Sequence, residues 1–421
     1  MNRRTLGMLI LLAVVTFYTF GTGFTFFFKF FYALLLLFGI GLFWAWVNLR
    51  GLEVTLRRTA TRGQVGGYLE GWVQVVNRSR MPKSWLEVVE VTDLPVESAG
   101  RGVAFIRDQS RTWKIETYLT RRGVFHTGQV EVVSQDPFGL FRLKRHFLQS
   151  QGYIVVPAAH PLPDLDPRLA GLPSDSRTTR HWDNITTDVA SVREYAPGDS
   201  FRRIHWPYTA RMNALMVKEF DMGKSAEAWV VLDMQQGVHF GEPPDNTEET
   251  AVTIAASLVT RLVELSLPVG LAMDGDNDYV FRPDSSPEHL GRLMEVLAEV
   301  KAVGTISIER FLYDLRPNLS RFNTLTLITP SGRTDWVPAL TALRRQGVTI
   351  SVILIDPKSF GGASDIEDSL EALFQNDIAT YSVSSGQDLN QALHVPLGIE
   401  MRQGPLGGGF HSYSRVGDAA S

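Results

Sequence analysis

Hydrophobic residues follow three successive patterns along the chain, and each predicts a different architecture. The first is an almost uncharged run. From Leu6 to Val47 only Lys29 carries a charge, over about twice the roughly 20 residues that one helix needs to cross a bilayer. The run therefore predicts two membrane-spanning helices, broken either at Gly21-Thr22-Gly23 or around Lys29. A secretory signal, whose apolar core is only about 7–15 residues, is too short to account for it.

The second pattern has period two. Leu52-Glu53-Val54-Thr55-Leu56, Trp72-Val73-Gln74-Val75 and Leu86-Glu87-Val88 alternate apolar and polar residues, as half-buried antiparallel strands do. Turn signals separate them at Gly66-Gly67, Asn77-Arg78-Ser79 and Arg121-Arg122-Gly123. Two amphipathic sheets bury their apolar faces best on each other, so a small β-sandwich is expected. Asp136-Pro137-Phe138-Gly139-Leu140-Phe141 reads as a tight turn at a corner of that sandwich.

The third pattern begins near Ala226. Ala228 to Asp233 is a continuous apolar run ending in an acid, like a strand buried on both faces. Further strands are predicted at Val269–Met273, Thr324–Ile328, Val348–Ile355 and Ala379–Val383. Helices are predicted at Thr247–Ser266, Pro287–Ala302, Asp335–Gln346 and Ile366–Phe374. Alternating strands and helices imply a doubly wound α/β domain with a mostly parallel sheet. The expected organisation is a transmembrane hairpin (1–50), an antiparallel β-sandwich (51–160), a linker with a motif-rich segment (161–225), the α/β domain (226–392) and a flexible tail (393–421).

Charge adds topology. Arg3 and Arg4 precede the apolar run, and Arg50, Arg57, Arg58 and Arg62 follow it. Basic residues are retained in the cytoplasm, so the chain is expected in the cell membrane with both termini and the soluble domains cytoplasmic. The net charge of −4 argues against a nucleic-acid binder. The absence of cysteine excludes disulfides, thiol catalysis and cysteine-ligated zinc.

The densest polar chemistry lies in Ser191–Asp221. Arg193, Glu194 and Tyr195 precede a Pro197-Gly198 turn, and Asp199 is placed to cap a short helix. Arg202, Arg203, His205, Trp206 and Arg211 follow. Pro207 would break a longer helix. Glu194, Asp199 and His205 could serve acid–base chemistry beside the arginines, which would make the chain a hydrolase-type enzyme. Yet Arg193, Arg202, Arg203, Arg211 and Lys218 are nearly balanced by Glu194, Asp199, Glu219 and Asp221. The segment is therefore expected to be an interdomain latch, with no catalytic residues. Gly223-Lys224-Ser225 resembles the end of a phosphate-binding loop, but Lys218 stands where the loop needs glycine, so no bound nucleotide is expected.

In doubly wound folds ligands sit at the carboxyl ends of the strands, which singles out Asp233. A metal-dependent adhesion-type site of the form Asp-x-Ser-x-Ser would place hydroxyls at 235 and 237. This chain has Gln235 and Gly237, a degenerate set for a hard cation, and no cofactor or metal is expected.

The run Arg193-Glu194-Tyr195-x-Pro197-Gly198-Asp199-x-x-Arg202-Arg203-Ile204-His205-Trp206-x-x-Thr209-Ala210-Arg211 resembles the signature of the domain-of-unknown-function 58 family. The Asp136–Phe141 turn after Arg121-Arg122-Gly123 and the N-terminal hairpin are similar to the same family. The resemblance implies a von Willebrand factor type A-like fold for the α/β domain, a MoxR-type AAA+ ATPase as a working partner, and no established enzymatic activity. The expected function is thus a non-enzymatic, membrane-anchored adaptor.

Overall fold

The apolar run breaks at Gly23-Phe24, the earlier of the two expected places. Helices α1 (Arg3–Thr22) and α2 (Thr25–Leu49) flank Gly23, whose φ of 66° lies in the left-handed region that glycine enters without steric cost. Lys29 lies inside α2. Both helices are long and apolar enough to span a membrane. The computed structural model describes residues 3–96, 100–148, 150–172, 189–194, 206–212, 214–220 and 227–398.

The hairpin and the following strands, to Ala158, form a first compact unit that also includes Met294–Glu299. Its strands are β1 (Leu52–Arg58), β2 (Arg62–Gln64), β3 (Tyr68–Asn77), β4 (Lys83–Val91) and β5 (Arg101–Phe105), followed by β6 (Ser110–Tyr118), β7 (Gly123–Thr127), β8 (Gln129–Gln135), β9 (Arg142–His146) and β10 (Gln151–Val156). They form one sheet of order β1-β3-β6 and another of order β5-β4-β8-β9. Period-two alternation puts Val54, Val73, Val75 and Trp113 of the first sheet into one core with Leu86, Val88, Val130 and Val132 of the second. A third small sheet, β2-β10-β7, was not legible from the turn signals. It has its own core around Leu69, Leu119, Tyr153 and Val155.

The second unit contains β13 (Ala228–Leu232), the two-residue strands β14 (Gly241–Glu242) and β15 (Asp245–Asn246), α4 (Thr247–Glu264), β16 (Val269–Asp274), β17 (Asp278–Asp284) and the first part of α5 (Pro287–Glu299). It continues with α6 (Ile308–Leu315), β18 (Thr324–Thr329), α7 (Val337–Arg345), β19 (Thr349–Ile355), α8 (Glu367–Gln375), β20 (Ala379–Val383) and α9 (Leu389–Ala392). The sheet order is β17-β16-β13-β18-β19-β20. All neighbours are parallel except β17, which runs antiparallel to β16 at the edge. Every residue of β13, β16 and β18 is buried, as strands covered on both faces must be. Helices α6, α7 and α8 share a core with Trp229, Val231, Leu325, Leu327, Val352 and Leu354. Helix α4 packs against β13, β16, β18 and β19.

Residues 159–172, read from composition as linker, instead pack onto the α/β unit. Leu162, Leu165, Leu169 and Ala170 are buried. The His160 N–H donates to the Ser257 hydroxyl at 2.9 Å, and the Asp166 N–H to the Leu393 carbonyl at 3.0 Å. Leu393, the first residue of the expected tail, is therefore part of this packing and fully buried; the tail from 399 onward lies outside the described residues.

Strand β11 (Val189–Glu194), helix α3 (Trp206–Met212) and strand β12 (Met216–Phe220) make up the described part of the motif-rich segment. β11 and β12 pair antiparallel, with Glu194 opposite Met216 and a bulge between Val189 and Ser191.

Candidate functional site

The motif-rich segment folds as a two-stranded ribbon carrying a short helix. Arg193 and Glu194 sit on β11, with Val217 and Met216 as their cross-strand partners. Trp206 opens α3, and Arg211 is exposed in its last turn. Pro207 lies within α3, and the residues immediately before Trp206, where the expected break from a longer helix would fall, lie outside the described residues. The Thr209 hydroxyl accepts the Met216 N–H at 3.0 Å and so ties α3 to β12. Tyr195, Pro197, Gly198, Asp199, Arg202, Arg203 and His205 lie outside the described residues.

The second candidate position is fixed by topology. From β13 the chain moves outward through β16 and β17, then crosses back to β18 on the opposite side of β13. The β13/β18 boundary is therefore the switch point of the sheet, where a crevice forms beyond the carboxyl ends of the strands. Asp233 follows β13 directly, and its N–H donates to the Ile328 carbonyl at 3.0 Å, extending the ladder by one rung.

The Asp233 side chain is only 2% exposed, and both its oxygens are occupied. The Thr329 hydroxyl donates to Oδ2 at 2.6 Å, and the Gln235 N–H donates to Oδ1 at 3.1 Å. The Asp233 carbonyl accepts from His239 Nε2 at 2.9 Å, which fixes the tautomer with a proton on that nitrogen, since a carbonyl can only accept. His239 Nδ1 then faces the Thr247 hydroxyl at 3.2 Å, at the start of α4. Burial pushes the Asp233 pKa above the ordinary carboxylate value; the Thr329 hydroxyl, the His239 charge and the Gln235 N–H oppose the shift, and Asp335 adds to it.

Asp274, at the end of neighbouring β16, repeats the motif. Its carboxylate accepts the Ile306 N–H at 2.8 Å, and burial, with Asp278 nearby, raises its pKa. Between the two aspartates runs Gly304, which donates to the Met234 carbonyl at 3.0 Å and accepts from the Gln236 N–H at 2.8 Å. A Cβ on Gly304 would lie 2.4 Å from the Asp274 carbonyl oxygen, so only glycine allows this approach. Thr329, His239, Thr247, Asp274 and Gly304 were not singled out from the sequence. The Asp that ends Val269–Asp274 was a readable signal, since it repeats the apolar-run-then-acid pattern of Ala228–Asp233.

At this position Gln235 meets Asp233 through its backbone N–H, Gly237 brings no side chain, and each carboxylate oxygen accepts one hydrogen bond. Among the described residues, no three His, Asp or Glu side chains converge on one point.

An apolar helical hairpin, a β-rich unit and an α/β unit with a mixed six-stranded sheet define the class of this protein. Residues 191–361 match the family described as Protein of unknown function DUF58. The resemblance read from the Arg193–Arg211 signature is thereby shown, over a stretch running from the ribbon into the α/β unit. Among individual proteins, the chain is similar to the Uncharacterized protein YeaD of Bacillus subtilis (strain 168), 25% identical over 313 residues, which cover 72% of this chain and 76% of that protein. An uncharacterized protein of Mycobacterium tuberculosis is 35% identical over 72 residues, 17% of this chain and 23% of that protein. A CARDB domain from Pyrococcus furiosus covers 25% of this chain and 91% of its own at 12% identity, with a TM-score of 0.20.

Proposed function

We propose that this chain is a non-enzymatic, membrane-anchored interaction protein whose termini and soluble units face the cytoplasm. Its α/β unit engages a protein partner, and a MoxR-type AAA+ ATPase is the partner that the family resemblance suggests. The observation that carries this reading is the state of Asp233. The Asp233 carboxylate at the switch point is buried and holds the Thr329 hydroxyl and the Gln235 N–H. A carboxylate so buried and so held shapes the edge of the sheet, which favours a structural role over a reactive one. The order β17-β16-β13-β18-β19-β20, with one antiparallel edge strand, supports a von Willebrand factor type A-like reading of the unit, a fold whose members commonly bind partners at this end of the sheet.

Co-purification of the full chain in mild detergent, with and without ATP, tests the proposal. The expected result is recovery of a stable protein partner with ATPase activity. Recovery of no partner under either condition would overturn it, as would hydrolase activity that is lost in His205→Ala while thermal stability is kept.

A further inference from the structure

The turn between β8 and β9 packs against the membrane helices rather than standing clear of them. Helix α2 has 25 residues, and about 20 suffice to cross the hydrocarbon core, so roughly its last turn stands above that core. Trp44 and Trp46 mark the boundary, since tryptophan concentrates at headgroup level. Trp46 lies under the Arg50 guanidinium, 3.5 Å from it.

Below this boundary, Gly41 lies about 4–5 Å deeper than Trp44 and about 12 Å below the helix end at Leu49. It is Gly41 that receives the turn. Its missing Cβ would stand 3.3 Å from the Phe141 ring and 3.4 Å from an Asp136 carboxylate oxygen. One helical turn deeper still, Phe38 meets Phe141 edge to face, with centroids 5.6 Å apart. On the other helix, the Thr5 hydroxyl donates to the Leu140 carbonyl.

The turn is also built to leave water. Backbone polar groups without partners are costly in lipid. Here the N–H groups of Phe138 and Phe141 donate to the Asp136 carboxylate at 3.0 and 2.6 Å, and the Gly139 N–H donates to the Asp136 carbonyl at 3.0 Å. Pro137 has no N–H to satisfy. With the backbone closed on itself, Phe138 is left 50% exposed at the tip, beside helices that face acyl chains. Immediately after the turn, Arg142 pairs with Glu87 at 2.8 Å and stays half exposed, as a basic residue at headgroup level would.

We propose that the Asp136–Phe141 turn inserts into the lipid bilayer, with the Phe138 ring among the acyl chains of the leaflet nearest the β sheets. The turn is a second membrane contact that fixes how the β-rich unit stands on its helices. This inference rests on the reading of α1 and α2 as membrane-spanning.

The chain has no cysteine, so single thiols can be placed cleanly. Full chains carrying Phe138→Cys, Leu36→Cys on the exposed face of α2, or Thr112→Cys on β6 are labelled with an environment-sensitive fluorophore. Each is reconstituted in nanodiscs of phosphatidylcholine and phosphatidylglycerol. The expected result is that the label at 138 emits blue-shifted light relative to 112, resists aqueous iodide, and loses most of its intensity to a lipid bearing a nitroxide near the carbonyl end of its chain. Iodide quenching at 138 equal to that at 112, with 36 still quenched by lipid, would overturn the insertion and leave the spanning helices standing. Failure of lipid quenching at 36 as well would overturn both. A blue shift at 138 without lipid quenching would mean that protein, such as a second copy, covers the turn, and would also overturn it. Pro137→Cys, at the other exposed position of the turn, gives the same readout should Phe138→Cys fail to reconstitute.

Discussion

The ammonium of Lys83 donates to the carbonyl of Val47 at 2.6 Å, joining the first residue of β4 to the last turn of α2. The last carbonyls of a helix have no partner within it and carry partial negative charge. Lys83 answers one, and Arg145 from β9 answers another, with its Nη1 3.1 Å from the Leu49 carbonyl. The end of the second apolar helix is thus fastened to two strands of one sheet, so helix and sheet move together.

Lys83 is only 2% exposed, so its substitutions separate packing from charge. Lys83→Met should cost about 1 kcal/mol, because the Val47 carbonyl keeps the Arg50 N–H at 3.1 Å. Lys83→Glu should cost several times more, since it sets a buried carboxylate against the negative end of a helix. Thermal unfolding in detergent micelles measures both. Burial holds the Lys83 pKa below its ordinary value, so the folded state loses its proton first as pH rises. The stability of the wild type relative to Lys83→Met should therefore climb as pH rises through the lowered value towards about 10. A pH-independent difference would refute the buried charge.

Asp136 holds the β8–β9 turn through two N–H groups. Asp136→Ala leaves both without that acceptor and should destabilise the first unit by about 2 kcal/mol. Gly41→Leu, which drives a side chain into Phe141, should cost about 1–3 kcal/mol, while Gly41→Ala, which asks Phe141 to move by only a few tenths of an ångström, should cost less. Equal effects of the two substitutions, read from unfolding midpoints in micelles, would contradict the close packing.

At Asp233 the sign of the pH dependence is informative. Burial raises its folded-state pKa, so this group's contribution to stability is full below the unfolded value near 4 and is lost as pH rises through the raised value. Wild-type stability should therefore fall over this window, and Asp233→Asn should reduce that slope, leaving the share of Asp274, while keeping an acceptor for the Gln235 N–H. Thr329→Val withdraws the hydroxyl from the carboxylate and should cost about 1–3 kcal/mol. Denaturant titrations between pH 4 and 8 distinguish these outcomes, and a slope unchanged in Asp233→Asn would assign the titration elsewhere.

Gly304→Ala tests the crossing between the ends of β13 and β16. Its Cβ would meet two backbone oxygens, those of Asp274 at 2.4 Å and Met234 at 2.9 Å, neither of which can rotate away. A loss of about 1–3 kcal/mol or more is expected. A variant that melts with the wild type would show that the crossing relaxes freely.

Most elements of the α/β unit were legible because their signals are local. β13, β16 and β19 are dominated by apolar residues, and α4 carries helical periodicity behind an Asn246 cap. β17 and α6 went unread. β17 is an exposed edge strand with only alternate residues half-buried, so its apolar pattern is weak. α6 is an eight-residue helix that runs on into a short 3-10 turn at Arg316–Asn318. The two candidate sites differ in the same way. The Arg193–Arg211 signature is a linear string and was recognisable at once. The neighbours of Asp233 arrive from Gln235, His239 and Thr329, and the last is 96 positions away in the chain.

The sequence by itself determined the two apolar helices, the alternation of the β-rich unit, the α/β series and the family signature. Each of these depends on residue types a few positions apart. Which of two places breaks the apolar run was decided by the structure. The tertiary structure alone decided that Thr329 would occupy the Asp233 carboxylate, that Lys83 would reach Val47, and that the Asp136–Phe141 turn would lie against Gly41. Such contacts depend on which strands become neighbours in a sheet and which helix a turn meets. That order is set by burying all the apolar faces at once, and no local stretch of sequence carries it.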